Sequence, residues 1–149
     1  MREITGNLWD YVNDGIIVIT TNGALNSRGE CVMGRGTAAQ AKKRYPDLPL
    51  RVGKMIKSHG NHVYIFQMDT DQGEMLITFP VKHHWAERAD HELITRSVEE
   101  LRVLANKTHA NKIFLPRPGC GNGGLTWDTV EPILRDSLDA RFIVVERHP

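Results

Sequence analysis

The chain has 149 residues, with 19 lysines and arginines against 18 aspartates and glutamates. This length suits one domain around one hydrophobic core, so we expect residues 1–149 to form a single domain. The 40% hydrophobic and 25% charged residues exclude a disordered, collagen-like or coiled-coil chain. Because the charges nearly cancel, no global field favours non-specific binding to nucleic acid or a membrane surface.

Six short runs of β-branched and aromatic residues predict strands. They lie at 2–5, 16–20, 63–67, 75–79, 112–115 and 141–146. Helical patterns lie between them, at 37–45, 50–57, 90–106 and 132–138. Asp90 is a suitable N-cap for the third helix. Since proline fits a first turn better than a helix interior, Pro132 predicts the start of the last helix, with 126–130 as a preceding turn.

The alternation of strands and helices predicts the α/β class, with helices on both faces of one sheet. The strands at 63–67 and 75–79 are joined by a short polar segment that contains Gly73. Such a connection is typical of a β-hairpin. The hairpin makes the expected sheet mixed rather than wholly parallel.

Eight of the 13 glycines fall in two stretches, 23–36 and 119–124, and each stretch follows a strand and leads to a helix. Glycine lets several backbone N–H groups point at one anion and lets a ligand approach the main chain. Ligands of α/β sheets bind beyond the carboxyl ends of the strands, so the two loops can meet at one crevice and hold a diphosphate. A glycine-rich connection without a ligand is the alternative for either loop alone.

Known phosphate-binding motifs do not account for these loops. Residues 34–39 match G-x-G-x-x-A, but they begin well after the strand, and Lys54 stands near the position of a ribose-binding acid. Neither loop is followed by the Lys-Ser/Thr pair of a P-loop. The loops therefore match neither the motif of a Rossmann dinucleotide site nor that of an NTPase site.

Lys82 follows the strand at 75–79 and lies between Phe79 and Trp85. A lysine near apolar walls and other cations can act as a nucleophile or form a Schiff base. A surface lysine or a simple phosphate contact is the alternative. Trp85 and Trp127 are consistent with the core or with a pocket wall.

Two further features of the sequence can be explained without a binding site. The basic stretch 35–57 suits either a polyanion or a solvated helix face. His83, His84 and His91 lack the spacing of a metalloprotease site, and Cys31 and Cys120 suggest neither a zinc site nor a disulfide framework. We therefore expect no metal and no cofactor, a reducing cytoplasmic setting and, since no apolar run is long, no membrane partner.

Five segments, taken together and in order, resemble the macrodomain family. They are Ile4-Thr-Gly-Asn-Leu8, the strand at 16–20 with Thr21-Asn22, Val32-Met-Gly-Arg-Gly-Thr-Ala38, Phe79-Pro-Val-Lys-His-His-Trp85, and Pro116-Arg-Pro-Gly-Cys-Gly-Asn-Gly-Gly-Leu-Thr-Trp127. The resemblance covers the whole chain. It is closest to the branch with the terminal ADP-ribose glycohydrolase and the DarG antitoxin macrodomain, and to small phage and bacterial macrodomain proteins.

This resemblance implies a three-layer α/β/α sandwich with a six-stranded mixed sheet and an ADP-ribose cleft at the strand carboxyl ends. The diphosphate is expected at 34–36 and 119–125, the distal ribose at Asn22 and Asn26, and adenine at 6–8. The implied ligand-binding residues are Asn7, Leu8, Asn22, Asn26, Met33, Gly34, Arg35, Gly36, Thr37, Pro118, Gly119, Cys120, Gly121, Asn122, Gly123, Gly124 and Leu125.

The resemblance further implies an ADP-ribosyl hydrolase in which Lys82 is catalytic. Gly123 stands where the terminal glycohydrolase has its aspartate, and Asn7 stands where many macrodomains have aspartate. A non-catalytic ADP-ribose-binding module and an ADP-ribose 1″-phosphate phosphatase are the alternatives. The expected partner is ADP-ribose or an ADP-ribosylated macromolecule, with nucleic acid only as a modified substrate. A monomer is expected, in the host cytoplasm if a phage encodes the chain.

Overall fold

Six strands form one mixed sheet in a computed structural model that describes residues 1–148. The strands are β1 (Arg2–Gly6), β2 (Ile16–Asn22), β3 (Tyr64–Gln67), β4 (Met75–Lys82), β5 (Ile113–Leu115) and β6 (Phe142–Arg147). Their order is β1-β6-β5-β2-β4-β3, in which β1, β6, β5, β2 and β4 are parallel and β3 is antiparallel to β4. The predicted mixed sheet and its hairpin are therefore confirmed.

Four helices cover the two faces of this sheet. They are α1 (Gly36–Arg44), α2 (Leu48–His59), α3 (His91–Asn106) and α4 (Trp127–Arg135). A short 3-10 helix at Leu8–Tyr11, which the sequence patterns did not predict, follows β1. None of the helices among residues 1–148 is both long and apolar enough to span a membrane.

The central strand β2 explains why the sandwich has three layers. Ile16 and Val18 belong to the core beneath α3 and α4, whereas Ile17 and Ile19 belong to the core beneath α1 and α2. Successive side chains of a strand point to opposite faces, so a continuous apolar run needs cover on both sides. The predicted α/β/α arrangement is confirmed by these two cores.

The start of α3 agrees with the predicted cap. Asp90 has extended backbone dihedrals, and its carboxylate accepts a hydrogen bond of 3.0 Å from the backbone N–H of Glu92. This bond satisfies one of the free N–H groups of the first turn. The backbone N–H of Asp90 also donates to the carbonyl of Val81 at 2.9 Å, which fixes the helix start beside the end of β4.

The prediction for the last helix was wrong. The helix begins at Trp127, so residues 127–130 are helical rather than a turn, and Pro132 lies in its interior. The ring of Pro132 is exposed, whereas Val130 and Leu134 are fully buried one turn apart. Burial of these two side chains, each favourable by about 1.5–3 kcal/mol, outweighs the penalty of the proline.

Two of the other differences from the predicted boundaries have local reasons. Helix α2 begins at Leu48 rather than at residue 50, with Pro49 in the first turn, where a proline loses no helical hydrogen bond. Strand β4 continues three residues past the predicted end, and Lys82 is its last residue. Lys82 is therefore held by the sheet instead of a loop.

We expect Pro132→Ala to raise the free energy of unfolding by about 1–3 kcal/mol, because alanine restores a helical N–H and removes a steric clash. Urea denaturation followed by circular dichroism measures the change. Lys43→Ala, at an exposed position of α1, is the control and should change stability little. A less stable Pro132→Ala variant would contradict this account of α4.

Candidate functional site

A cleft of about 860 Å³ lies across the carboxyl ends of the five parallel strands. It runs from the end of β1 to the end of β4, and four inter-strand spacings give a length of about 19 Å. Its volume falls within the usual range for small-molecule sites. The parallel order of the strands thus creates one extended crevice at one edge of the sheet.

Most of the sequence-predicted site residues line this cleft. They are Asn7, Leu8, Asn22, Gly34, Arg35, Gly36, Thr37, Lys82, Gly119, Cys120, Gly121, Asn122, Gly123 and Leu125. They come from both glycine-rich loops and from the ends of three strands. The structure therefore brings the two loops to one crevice.

Four predicted site residues do not line the cleft: Asn26, Met33, Pro118 and Gly124. Asn26 stabilises an exposed turn, since its side chain donates to the Glu30 carboxylate at 3.0 Å and accepts from the backbone N–H of Glu30. Met33 is buried in the core beneath α1 and α2, and Pro118 is also buried. Gly124 turns its carbonyl to the guanidinium of Arg88 at 2.7 Å.

The first glycine-rich loop, residues 23–36, ends where α1 begins, and the N-terminus of this helix lies at the cleft. Arg35 occupies the N-cap position but makes no capping hydrogen bond with its side chain. Gly36 has φ +59°, which a side chain would strain, and a Cβ on Gly34 would meet no atom within 4 Å. The helix therefore presents uncapped N–H groups and its positive dipole end to an open space, which suits an anion.

The second loop is a tight turn with free donors. The N–H of Leu125 donates to the carbonyl of Gly119 at 2.9 Å, and Gly119 has φ +77°. The N–H groups of Gly121, Asn122 and Gly123 donate to no protein atom among residues 1–148. Three consecutive free N–H groups can bind the oxygens of a phosphate.

Two carbonyl groups of this loop are held by the last residue of β4 and by the segment that follows it. The Lys82 ammonium donates to the Asn122 carbonyl at 3.4 Å, and the Ala89 N–H donates to the Gly123 carbonyl at 2.9 Å. The N–H and C=O of one trans peptide unit point in opposite directions, so the Gly123 N–H points away from Lys82. These contacts fix the orientation of the free donors.

Lys82 lies at the β4 end of the cleft, where both its backbone and its side chain make hydrogen bonds. Its register partner across the sheet is Asn22, and its own carbonyl accepts a hydrogen bond of 3.1 Å from the Asn61 side chain. Its ammonium contacts the carbonyl of Trp85 at 3.4 Å in addition to that of Asn122. The side chain is partly exposed and lines the cleft, so a ligand can reach Nζ.

The Asn22 side chain is already engaged in folding the first loop. Its amide nitrogen donates to the Val32 carbonyl, and its oxygen accepts from the Ala24 N–H, both at 2.9 Å. One amide proton and one oxygen lone pair are left for a ligand. Asn7 is similar, because its side-chain oxygen accepts from the Trp9 N–H at 3.1 Å and caps the 3-10 helix.

Among the described residues, Glu146 is the only carboxylate that lines the cleft. It lies on β6, three strand spacings or about 14 Å from the strand that carries Lys82. Arg117 pairs with it at 3.3 Å and also stacks its guanidinium 4.9 Å from the centre of the Trp127 ring. No carboxylate of the cleft wall among the described residues therefore lies beside Lys82 to act as a general acid or base.

Gly123 cannot be the position of a missing acid in this backbone. A Cβ there would lie 2.4 Å from the Gly119 carbonyl oxygen and 2.8 Å from the Ala89 Cβ. Both distances are too short for any side chain without a backbone shift. The glycine is thus a packing requirement of the loop.

A further group of cleft-lining residues was not predicted from the sequence. Thr20, Thr21, Pro116, Arg117, Thr126, Val145, Glu146, Arg147 and His148 belong to it. Most of these residues lie at the carboxyl ends of β2, β5 and β6, or immediately after them. The rule that ligands bind at strand carboxyl ends was the available signal. Trp85 and Trp127 also line the cleft, and Trp127 packs in addition against the core beneath α3 and α4.

The remaining titratable candidates have structural partners. His83 contacts the Asp90 carboxylate at 3.0 Å, and this hydrogen bond lowers the pKa of Asp90. Burial raises the pKa of the Cys31 thiol to about 12, and burial also raises the pKa of Cys120. These thiols are therefore poor nucleophiles at neutral pH.

Gly123→Ala is expected to destabilise the protein by about 1–3 kcal/mol, because its methyl group would press on the Gly119 carbonyl. Gly121→Ala in the same loop is the matched control. It should leave stability unchanged, since its Cβ would meet no atom within 4 Å and its φ is not positive. Urea denaturation of both variants checks the difference, and equal stabilities would refute the packing role.

Both the sequence and the fold of the chain are similar to those of known proteins. The Macro domain family model matches residues 22–134, more than half of the chain. In solved structures, the macrodomain of Mycobacterium tuberculosis DarG superimposes with a TM-score of 0.82 at 26% identity, over 99% of this chain and 97% of that one. The similarity thus includes the strands and loops that form the cleft.

Several curated relatives are named DNA ADP-ribosyl glycohydrolase, and two of them illustrate the similarity. The one from Thermus aquaticus is 28% identical over 144 residues, 94% of this chain and 38% of that protein. The one from Mycobacterium bovis is 33% identical over 104 residues, 67% of this chain and 30% of that protein. The chain therefore spans only about a third of the length of these relatives. From the family model and the shared fold together, the chain belongs to the macrodomain family.

Proposed function

We propose that this protein binds ADP-ribose in the cleft and removes an ADP-ribosyl group from DNA, with Lys82 as the nucleophile. The observation that carries the proposal is the position of Lys82. Its ammonium lies 3.4 Å from the Asn122 carbonyl, at the end of a cleft walled by two loops with free N–H groups. The side-chain nitrogen of a lysine thus borders two loops that can hold a diphosphate.

The named activity of the relatives supports the choice of substrate. The Thermus aquaticus protein is a DNA ADP-ribosyl glycohydrolase, and its alignment covers 94% of this chain. The alignment covers only 38% of that protein. The activity is proposed for this shared region.

The order of the strands supports one orientation of the ligand. Asn7 lies at the β1 end of the cleft, and Lys82 lies at the β4 end, about 19 Å away. The two sets of free N–H groups lie on the loops between these ends. We therefore place adenine near Asn7, the diphosphate against the loops and the distal ribose beside Lys82.

The proposed reaction uses the lone pair of the deprotonated Lys82 amine. The Nζ atom bonds to the anomeric carbon of the distal ribose while the bond from that carbon to the DNA base breaks. The electron pair of the broken bond leaves with the base, which takes up the proton that the attacking amine loses. The bond from the anomeric carbon to the ring oxygen then breaks, the oxygen takes the remaining N–H proton, and an imine forms on Lys82. Water hydrolyses the imine to release ADP-ribose and the free amine.

The cleft favours this covalent route over acid–base hydrolysis. A general acid–base mechanism needs a carboxylate or another base within hydrogen-bond reach of the reacting group. Glu146 is the only carboxylate of the cleft wall among residues 1–148, and it pairs with Arg117 about 14 Å from the β4 end. Anchoring the diphosphate on both loops would hold the anomeric carbon in place for attack.

Lys82→Ala should abolish release of ADP-ribose from an ADP-ribosylated DNA oligonucleotide while ADP-ribose binding persists, because the backbone donors of both loops remain and Ala89 still holds the second loop through the Gly123 carbonyl. Lys82→Arg should also be inactive, since a guanidinium keeps the charge but is not a nucleophile. Lys107→Ala, at an exposed position after α3, is the control. Release is measured by chromatography.

Borohydride treatment during turnover separates the candidate functions. The proposal predicts a reduced, stable adduct on Lys82 in the wild-type protein and none in Lys82→Ala. Turnover of ADP-ribose 1″-phosphate without an adduct would favour a phosphatase. Tight ADP-ribose binding without release from any ADP-ribosylated substrate would favour a binding module. Full activity of Lys82→Ala would remove this residue from the mechanism.

A further inference from the structure

The two helix layers carry opposite charge. Helices α1 and α2 contain six cations and no acidic residue: Lys42, Lys43, Arg44, Arg51, Lys54 and Lys57. Helices α3 and α4 contain three arginines against five acids: Glu92, Glu99, Glu100, Asp128 and Glu131. One outer surface of the sandwich is therefore basic, and the opposite one is acidic.

The near-neutral charge of the chain conceals this division. Residues 28–57 contain eight lysines and arginines against two acids, a net charge of +6, whereas the whole chain has +1. The rest of the chain therefore carries −5. A local field of this kind attracts a polyanion even though the net charge of the molecule is close to zero.

The cations of this segment have no acidic partners among the described residues, although the guanidinium of Arg44 lies 4.7 Å from the centre of the Trp9 ring and that of Arg51 lies 5.4 Å from the centre of the Phe66 ring. None of the eight forms a salt bridge with a carboxylate within residues 1–148. Five arginines elsewhere do so: Arg96, Arg102, Arg117, Arg135 and Arg141. Five of the six helix cations are exposed, and we call these five, Lys42, Lys43, Arg44, Lys54 and Lys57, the basic face.

The helices of the basic face adjoin the cleft at two points. Helix α1 meets it through its N-terminus, where Arg35 and Gly36 line the cleft. Helix α2 ends at His59, two residues before Asn61, whose side chain donates to the Lys82 carbonyl at 3.1 Å. A strand that leaves the reaction site beside Lys82 can therefore pass directly onto the C-terminal half of α2.

We propose that the basic face binds the sugar–phosphate backbone of the DNA strand whose base carries the ADP-ribosyl group. The inference rests on the proposed function for the identity of the strand. Lys54 and Lys57 lie one turn apart on α2, and this helix, about 18 Å long, spans about five nucleotides of a strand. This contact adds affinity but no sequence specificity, because phosphate groups carry no sequence information.

A pair of double variants tests the proposal. Lys54→Glu with Lys57→Glu reverses two charges of the basic face. Lys107→Glu with Lys112→Glu reverses two exposed lysines that follow α3 and precede β5 and makes the same change in net charge. Fluorescence anisotropy measures binding of an unmodified single-stranded oligonucleotide of about twelve nucleotides, and calorimetry measures binding of ADP-ribose.

The basic-face variant should bind the oligonucleotide about tenfold more weakly at low salt, because two phosphates are no longer neutralised by lysines. Its log–log salt slope should be smaller by about 1.4, which is about 0.7 for each of these phosphates. The control variant should change affinity less than twofold, and both should bind ADP-ribose like the wild type. Equal weakening in the two variants, or no oligonucleotide binding by the wild type, would overturn the proposal.

The unmodified oligonucleotide keeps the two proposals separable. Its binding needs neither the cleft nor Lys82, so a docking surface can be detected even if ADP-ribose does not bind. In that case the proposed function fails and the docking result still stands. In the reverse case, ADP-ribose is released from modified DNA but KM is the same in both variants, and only the docking proposal fails.

Discussion

The site depends on the shared direction of five strands. Because β1, β6, β5, β2 and β4 are parallel, all of them end at the same edge of the sheet, and every loop that leaves them adjoins one crevice. Parallel strands require cover on both faces, which the sequence meets with apolar runs such as the one in β2. The two hydrophobic cores that hold the helices in place therefore also hold the cleft open between two glycine-rich loops.

Within that crevice the backbone provides free donors for an anion. The free N–H groups at 121–123 and the uncapped start of α1 can bind anions without any side chain, and contacts from Lys82 and Ala89 to carbonyl groups of the second loop fix its orientation. At Gly123 the close packing that orients these donors leaves no space for a side chain. The proposed chemistry consequently depends on a lysine supplied by a neighbouring strand.

Much of the fold could be predicted because it follows from local rules. The alternation of strands and helices, the Asp90 cap and the hairpin before β4 all depend on patterns within a few residues. The start of α4 could not be predicted in this way, because burial of Val130 and Leu134 overrides a proline that local propensity would exclude. The side-chain roles of Asn26 and Met33 likewise depend on how one loop folds, and spacing in the sequence does not determine that.

The charge division between the helix layers was visible in the sequence only as a basic stretch, because the layer to which each helix belongs is a property of the fold. The proposed function depends on ADP-ribose binding in the crevice between the two glycine-rich loops. Isothermal titration calorimetry of the wild-type protein with ADP-ribose measures this binding. We expect saturable binding with one molecule per chain, and a titration without measurable binding would show that the crevice does not hold ADP-ribose.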